Sequence, residues 1–198
     1  QHHLWKADLG YLIHPSIPVP AKPRIADVAC GNGCWLLDVA STLQLPYALR
    51  GFDISLDQVP STGLDPSAFP SVRFLTWNIF NDPPSDYVGA FDIVHIRLIT
   101  VIFRDNDPIP VIESLKKLLK PGGYLQWEEV DNVDFSVLTP RGGEEAPALE
   151  QAVAQLCSSG KGDWKQHGAQ FLNQNGFAHA KQFHIEPSNL NARFWTDK

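Results

Sequence analysis

The stretch Asp27-Val28-Ala29-Cys30-Gly31-Asn32-Gly33 decides the fold, because it separates a short apolar segment from an apolar helical one. Residues 24–29 are typical of a buried strand, and residues 34–45 are apolar nearly all round until Pro46 ends them. Glycines at such a junction let the backbone turn sharply and let a ligand approach it without a Cβ in the way. We therefore expect a ligand-binding loop between the strand and the helix.

Strands and helices alternate along the rest of the chain. Further strands are predicted at residues 48–54, 72–78, 91–97, 124–130 and 178–185. Helices are predicted at residues 4–13, 107–120, 144–156 and 164–175, the second capped by Asp107 and ended by Pro121-Gly122-Gly123. This order predicts an α/β fold with a doubly wound, mostly parallel sheet and helices on both faces. Ligands of such sheets bind beyond the carboxyl ends of the strands.

Asp53 ends the second predicted strand, 26 residues after Asp27. A carboxylate at that place can accept two hydrogen bonds from a ribose diol. Leu36 stands where a dinucleotide-binding loop carries its third glycine, and no Gly-Lys-Ser/Thr follows, which excludes a P-loop. The sequence thus predicts a nucleotide site that is neither of these two types.

Composition and charge restrict the class of protein further. The 198 residues suffice for one domain, and 43% hydrophobic with 19% charged residues is ordinary for a globular protein. The formal net charge of −6 disfavours a nucleic-acid partner, and no apolar run approaches the roughly 18 residues of a membrane span. The three cysteines, Cys30, Cys34 and Cys157, form no CxxC pair, so we expect no metal site and a cytoplasmic or nuclear location.

Five motifs resemble class I S-adenosylmethionine-dependent methyltransferases in order and spacing. They are Asp27-x-Ala29-x-Gly31-x-Gly33, Gly51-Phe52-Asp53-Ile54-Ser55, Phe74-Leu75-Thr76-Trp77-Asn78, Phe91-Asp92-Ile93-Val94-His95 and Leu119-Lys120-Pro121-Gly122-Gly123-Tyr124. With Leu4-Trp5-Lys6, His14-Pro15 and Asp105-Asn106-Asp107-Pro108, the chain is similar to the methyltransferases of fungal secondary metabolism. The resemblance covers nearly the whole chain and implies a Rossmann-like fold.

The resemblance also implies S-adenosylmethionine as cofactor, with S-adenosylhomocysteine as product. Its methionine part would lie in the loop of Ala29, Gly31 and Gly33, with the amino group on Asp27 and the ribose hydroxyls on Asp53. Ile54 would pack on adenine, and Asn78 and Ile79 would meet the adenine edge. The backbone near His95 would touch the methionine end. The family often has glycine in place of Ala29 and aspartate in place of Asn78. Ala29 is tolerable where its φ is negative, and Asn78 keeps an acceptor.

His95 is the leading candidate for a general base, because imidazole titrates near neutral pH. The alternatives are a buried histidine satisfied by the backbone or a residue that only lines the cofactor. Glu128 and Glu129 follow the fifth strand, and either could act as base or amine anchor. Arg97 shares a strand face with His95, where it orients an acidic substrate or pairs with a carboxylate such as Glu129. The candidate substrate contacts are Arg97, Trp127 and Tyr11.

These motifs predict a segment at residues 1–23 that is a lid or a docked helix, followed by a cofactor-binding domain at 24–198. The predicted function is metal-free O-methylation of a small-molecule natural product. One alternative is a cofactor-binding regulator of secondary metabolism, and another is the same fold recruited for a cyclisation. We expect a small-molecule substrate, no nucleic-acid or membrane partner, and a homodimer.

The resembled sheet has seven strands, of which the last two form an antiparallel hairpin. Residues 178–185 would supply the sixth strand, but residues 191–196 are more typical of the start of a helix. The sequence therefore predicts a chain without its last strand, so that it is not a complete catalytic domain. Residues beyond Lys198 or another chain would supply that strand, because unpaired buried backbone is costly.

Overall fold

A computed structural model describes residues 1–44, 46–60, 67, 69–103, 105, 107–130, 147–158 and 163–186. They fall into two compact units. The first takes the described residues of Gln1–Arg97, Pro110–Trp127 and Phe183–Lys198, so residues 1–23 share it with the sheet. The second takes those of Leu98–Ile109 and Glu128–Gln182. Within the described ranges, no helix is both long and apolar enough to cross a bilayer.

In the described part of the chain, one sheet of five strands has the order β3-β2-β1-β4-β5. The strands are β1 (Arg24–Val28), β2 (Ala48–Asp53), β3 (Val72–Thr76), β4 (Phe91–Arg97) and β5 (Leu119–Glu128). β1 pairs in parallel with β2 and β4, and β2 pairs in parallel with β3. β5 follows β4 in the same direction, since Ala90 N donates to Leu118 O at one end and Leu98 N to Glu128 O at the other. The strand order reverses between β1 and β4, which is where ligands of such sheets bind.

Of the described helices, the first three belong essentially to the unit of the sheet and the last two to the second unit. They are α1 (His2–Leu9), α2 (Cys34–Thr42), α3 (Ile109–Leu118), α4 (Pro147–Ser158) and α5 (Gly168–Gln174), with 3₁₀ turns at Ser85–Tyr87, Thr100–Ile102 and Asp163–His167. The predicted cap of α3 is confirmed, because Asp107 Oδ1 accepts a 2.9 Å hydrogen bond from Ile109 N. Right-handed crossovers place α2 and α3 on opposite faces of the sheet, because β1 to β2 and β4 to β5 progress in opposite directions.

The core beneath α2 is built from residues in register on four strands. Ile25 pairs with Leu49 and Ile93, and Leu49 pairs with Val72, so that their side chains share one face. This row is covered by the apolar side of α2, where Trp35, Leu36 and Val39 are 3% exposed or less. Two residues further along β1 and β4, the same face carries Asp27 and His95.

Two predicted boundaries are wrong. Residues 121–123 do not follow α3 as a loop but lie inside β5, because Lys117 O and Leu118 O already accept strand-type hydrogen bonds from Gly89 N and Ala90 N. Residues 178–185 form no strand, and residues 181–186 are irregular and exposed. A strand needs a pairing partner, and no described segment supplies the one expected between β5 and this stretch. Residues 191–196 lie outside the described residues.

Candidate functional site

The loop after β1 turns through three residues with positive φ. Ala29, Gly31 and Gly33 have φ values of +55°, +53° and +75°. Gly33 N donates to Cys30 O at 2.9 Å, and Cys30 N donates to Phe52 O at 3.0 Å, which holds the turn against β2. The loop therefore presents its backbone at the carboxyl end of the sheet, where the predicted cofactor would lie.

The conformation of Ala29 differs from the sequence expectation.

 A negative φ was the condition for an alanine at this position, and Ala29 instead has a φ of +55°. The left-handed region costs an L-residue with a Cβ roughly 1–2 kcal/mol, whereas glycine enters it freely. The bond from Cys30 N to Phe52 O follows directly and holds the backbone in this conformation. Ala29 is thus a strained residue in the loop rather than a neutral replacement for glycine.

Asp53 lies against this loop at the end of β2. Its Oδ2 atom accepts a 2.8 Å hydrogen bond from Gly31 N, and its backbone oxygen accepts one of 2.7 Å from Trp77 N. Each carboxylate oxygen has two lone pairs, so this anchoring bond leaves acceptor capacity for ribose hydroxyls. The ribose contact itself stays a prediction, and the geometry fits it.

Phe74 on β3 lies at this site, although the motif at residues 74–78 predicts no role for its side chain. A Cβ on Gly51 would lie 2.5 Å from Phe74 Cδ1, and a Cβ on Gly33 would lie 2.6 Å from Phe74 Cε1. The phenyl ring therefore fills a space that both glycines leave open beneath the loop. No local pattern signals this, because the three residues are separated in sequence and meet only in the folded sheet.

The adenine candidates lie at the ends of β2 and β3. Ile54 directly follows Asp53 and is 68% exposed, which is unusual for a large apolar side chain. Asn78 Oδ1 accepts a 3.0 Å hydrogen bond from Phe80 N, so its side chain shapes the turn after β3, and Ile79 is 7% exposed. Their contacts with adenine remain predictions.

His95 is enclosed by two other side chains. Its Nδ1 atom lies 2.7 Å from Asp27 Oδ1, and its ring stacks on Trp35 with centroids 3.7 Å apart and planes 5° apart. His95 is 1% exposed and Asp27 is 3% exposed. At 1% exposure the ring offers a substrate little access here, and the general-base role of His95 stays a prediction. The sequence predicts Trp35 as part of a helix and does not indicate that it packs against His95.

The remaining chemical candidates have mainly structural contacts. The Arg97 guanidinium carbon lies 5.4 Å from the Trp5 ring centroid, and its Nη2 donates to His2 Nδ1 at 3.3 Å. Tyr11 packs edge-on against His14, with ring centroids 5.0 Å apart.

In the second unit, Glu129 Oε1 accepts hydrogen bonds from Ile99 N and Thr100 N at 2.8 and 3.0 Å. This carboxylate therefore caps the 3₁₀ turn at Thr100–Ile102. Glu128 and Trp127 end β5 and are both half-buried, and their substrate roles stay predictions.

The N-terminal segment is docked on α2 and β5. Leu12 O accepts hydrogen bonds from Trp35 Nε1 at 3.2 Å and Gln126 Nε2 at 2.8 Å, and Gln126 Oε1 accepts one from His14 N at 2.8 Å. The segment after α1 is thus docked in this structure, and its role as a lid stays a prediction.

The side chains of α1 also bind α2 through Asp38. Its Oδ2 atom lies 3.0 Å from His2 Nε2 and 2.8 Å from Lys6 Nζ. Burial tends to raise the pKa of Asp38, but the hydrogen bonds from Lys6 and His2 hold it below its usual value. Burial lowers the pKa of His2, which favours its neutral form.

Cys30 lies within the loop and is 9% exposed. Burial raises the pKa of its thiol far above the ordinary value, and the nearby carboxylates of Asp27 and Asp53 add to this. The thiol therefore stays protonated near neutral pH, which disfavours a role as a nucleophile.

The profile of the methyltransferase domain family matches residues 25–123, which is half of the chain. The chain therefore belongs to this family, as the motifs predicted. The order of the sheet is that of the Rossmann-like class I methyltransferase fold, which confirms the predicted fold class. Among solved structures, the PH0226 protein from Pyrococcus horikoshii has a TM-score of 0.50 and 20% identity, covering 64% of this chain and 57% of that chain.

The curated relatives include the following two fungal proteins. The N-methyltransferase verN of Clonostachys rogersoniana is 32% identical over 130 residues, which cover 65% of this chain and 44% of verN. The secondary metabolism regulator laeA of Coprinopsis cinerea is 32% identical over 110 residues, which cover 56% of this chain and 25% of laeA. The chain thus spans less than half the length of either relative.

Proposed function

We propose that this chain forms the cofactor-binding part of an S-adenosylmethionine-dependent methyltransferase that methylates a small-molecule natural product on nitrogen. The observation that carries the proposal is the hydrogen bond from Gly31 N to Asp53 Oδ2, which brings a ribose-type carboxylate to the glycine loop. Membership of the methyltransferase domain family supports the same assignment.

The residues present fit this cofactor. Gly31 and Gly33 leave backbone accessible at the turn, where a Cβ on Gly31 would have a single neighbour, Gln58 Oε1, at 3.7 Å. Asp53 would hold the ribose hydroxyls, and the exposed Ile54 beside it would cover one face of adenine. When bound, the cofactor supplies an electrophilic methyl group. The protein's own task is then to orient a nucleophile toward that group and to exclude water.

A nitrogen nucleophile suits the surroundings of His95 better than the oxygen that the sequence favours. A hydroxyl needs a base to remove its proton as it attacks, and His95 is instead buried between Asp27 and Trp35. A neutral nitrogen attacks through its lone pair and releases its proton to solvent afterwards. The similarity to the N-methyltransferase verN supports this choice.

A regulator that binds the cofactor is the second candidate, and the similarity to laeA supports it. Two measurements on the protein separate the candidates. Calorimetry with S-adenosylhomocysteine measures binding, and transfer of a radiolabelled methyl group to matched amine and hydroxyl natural products measures the reaction.

We expect binding, and label on the amines at a higher rate than on the hydroxyl compounds. Label on the hydroxyl compounds alone would restore the predicted O-methylation. Binding without transfer to any compound would favour the regulator. Absence of binding would overturn the assignment of the site. Asp57→Ala is a suitable control variant, because Asp57 is an exposed carboxylate near Asp53 whose only described hydrogen bond is made by its backbone N to Ser55 Oγ.

A further inference from the structure

Three buried side chains meet at the point where the strand order reverses. Asp27 on β1 and His95 on β4 are partners in the parallel register, and Trp35 reaches them from the first turn of α2. The carboxylate, the imidazole and the indole are all 3% exposed or less. This Asp27–His95–Trp35 stack lies directly before the glycine loop, next to the predicted methionine end of the cofactor.

The hydrogen bond within the stack fixes the tautomer of the imidazole. An ionised carboxylate only accepts hydrogen bonds, so His95 Nδ1 must carry the proton that it donates to Asp27 Oδ1 over 2.7 Å. A buried carboxylate is costly unless it is hydrogen-bonded, and this bond meets that requirement for one of its two oxygens.

Trp35 fixes the plane of the imidazole. The two rings are nearly parallel at 5°, and the indole itself is held by the bond from Trp35 Nε1 to Leu12 O at 3.2 Å. With one face covered and one nitrogen engaged, His95 has a single orientation. Rotation of the Asp27 carboxylate is restricted in turn, because it would break the hydrogen bond from His95.

We propose that His95 is a positioning residue that orients Asp27 toward the amino group of the cofactor's methionine part. This inference rests on the proposed function and deepens it. His95 holds Oδ1, which assigns Oδ2 to the ligand's ammonium group. His95 thereby acts on ligand selection and takes no part in proton transfer.

A positioning role for His95 predicts a dependence on ligand chemistry that a merely structural role does not. Ligands that carry the amino group should depend on His95, whereas ligands without it should not. S-adenosylhomocysteine and methylthioadenosine are suitable probes, because they share the adenosine and sulfur atoms but only the first has the amino-acid part.

Two variants of His95 separate the hydrogen bond from the ring stack. His95→Phe keeps a ring against Trp35 but cannot donate to Asp27. His95→Asn loses the ring but keeps an N–H donor near the place of Nδ1. The affinities of both probes are measured by calorimetry, and thermal melting establishes that each variant is folded.

We expect His95→Phe to weaken S-adenosylhomocysteine binding by about tenfold or more, the loss typical of a hydrogen bond to a charged group. Methylthioadenosine binding should stay near the wild-type value, and His95→Asn should recover most of the lost affinity. His95→Gln, whose amide reaches the place of Nε2 rather than Nδ1, should behave like His95→Phe and replaces it if that variant does not fold.

An equal loss for both probes in a folded variant would overturn the inference and leave the proposed function intact. Unchanged binding of S-adenosylhomocysteine by His95→Phe would overturn it as well. Wild-type protein that binds neither probe would overturn the proposed function, and this inference with it.

Discussion

Gly31 N donates a 2.8 Å hydrogen bond to Asp53 Oδ2, so the loop after β1 and the end of β2 are joined through a side chain. The bond gives Asp53 two tasks, since the same carboxylate holds the loop and is the candidate for ribose recognition. Substitutions of Asp53 therefore test the site and the loop together, and their effects on binding and on stability need separate measurements.

Asp53→Ala should weaken the binding of S-adenosylhomocysteine by about 1–3 kcal/mol, the range for a hydrogen-bonded charged group. Asp53→Asn should lose less, because its amide oxygen can still accept the bond from Gly31 N. Calorimetry measures both, with Asp57→Ala as a control that should bind like the wild type. Unchanged affinity in Asp53→Ala would remove Asp53 from the site.

Ala29→Gly should stabilise the protein. The left-handed φ of +55° is strained for alanine and natural for glycine, and part of the gain is offset by the larger freedom of glycine in the unfolded chain. We expect a net gain of about 1 kcal/mol in the free energy of unfolding, measured with urea. Ala40→Gly, in the interior of α2, is the control with the opposite expected sign. A lower free energy of unfolding for Ala29→Gly than for the wild type would contradict the inference that Ala29 is strained.

Gly51→Ala should destabilise the protein by about 1–3 kcal/mol, because its Cβ would overlap the ring of Phe74. In a Phe74→Ala background the same substitution should cost less, since the ring atoms that it meets are absent. The coupling, of order 1 kcal/mol or more, is obtained from a double-mutant cycle in urea. Additive effects of the two substitutions would show that Phe74 is not the obstacle.

Asp38 should make the contact between α1 and α2 sensitive to acid. Its pKa is lower in the folded than in the unfolded protein, so it stabilises the fold above its unfolded pKa of about 3.9 and loses this contribution as the pH falls further. We compare the free energies of unfolding of the His2→Gln variant and of the double variant His2→Gln, Asp38→Asn. Their difference should shrink below about pH 4. Urea unfolding across pH measures this difference. A difference that stayed constant down to acid pH would be the contrary result.

Local patterns were sufficient to predict much of the fold. The strand before the glycine loop was expected at residues 24–29 and lies at Arg24–Val28, and β4 has the predicted bounds, Phe91–Arg97. Short apolar runs that end at glycine, proline or a charged residue favour such strands. The position of Asp53 beside the loop follows as well, because neighbouring parallel strands end at the same edge of the sheet.

By itself, then, the sequence determined the parallel sheet, the glycine loop and the acidic end of β2, because each depends on residues near one another in the chain. Tertiary structure decided the rest. Asp27 meets His95 across 68 residues, and only the pairing of β1 with β4 brings them together. The sign of φ at Ala29 depends on the bond between Cys30 and β2, and residues 178–185 form no strand because a strand depends on its neighbour. Local propensity cannot encode such contacts, since their energies arise only when distant segments are packed together.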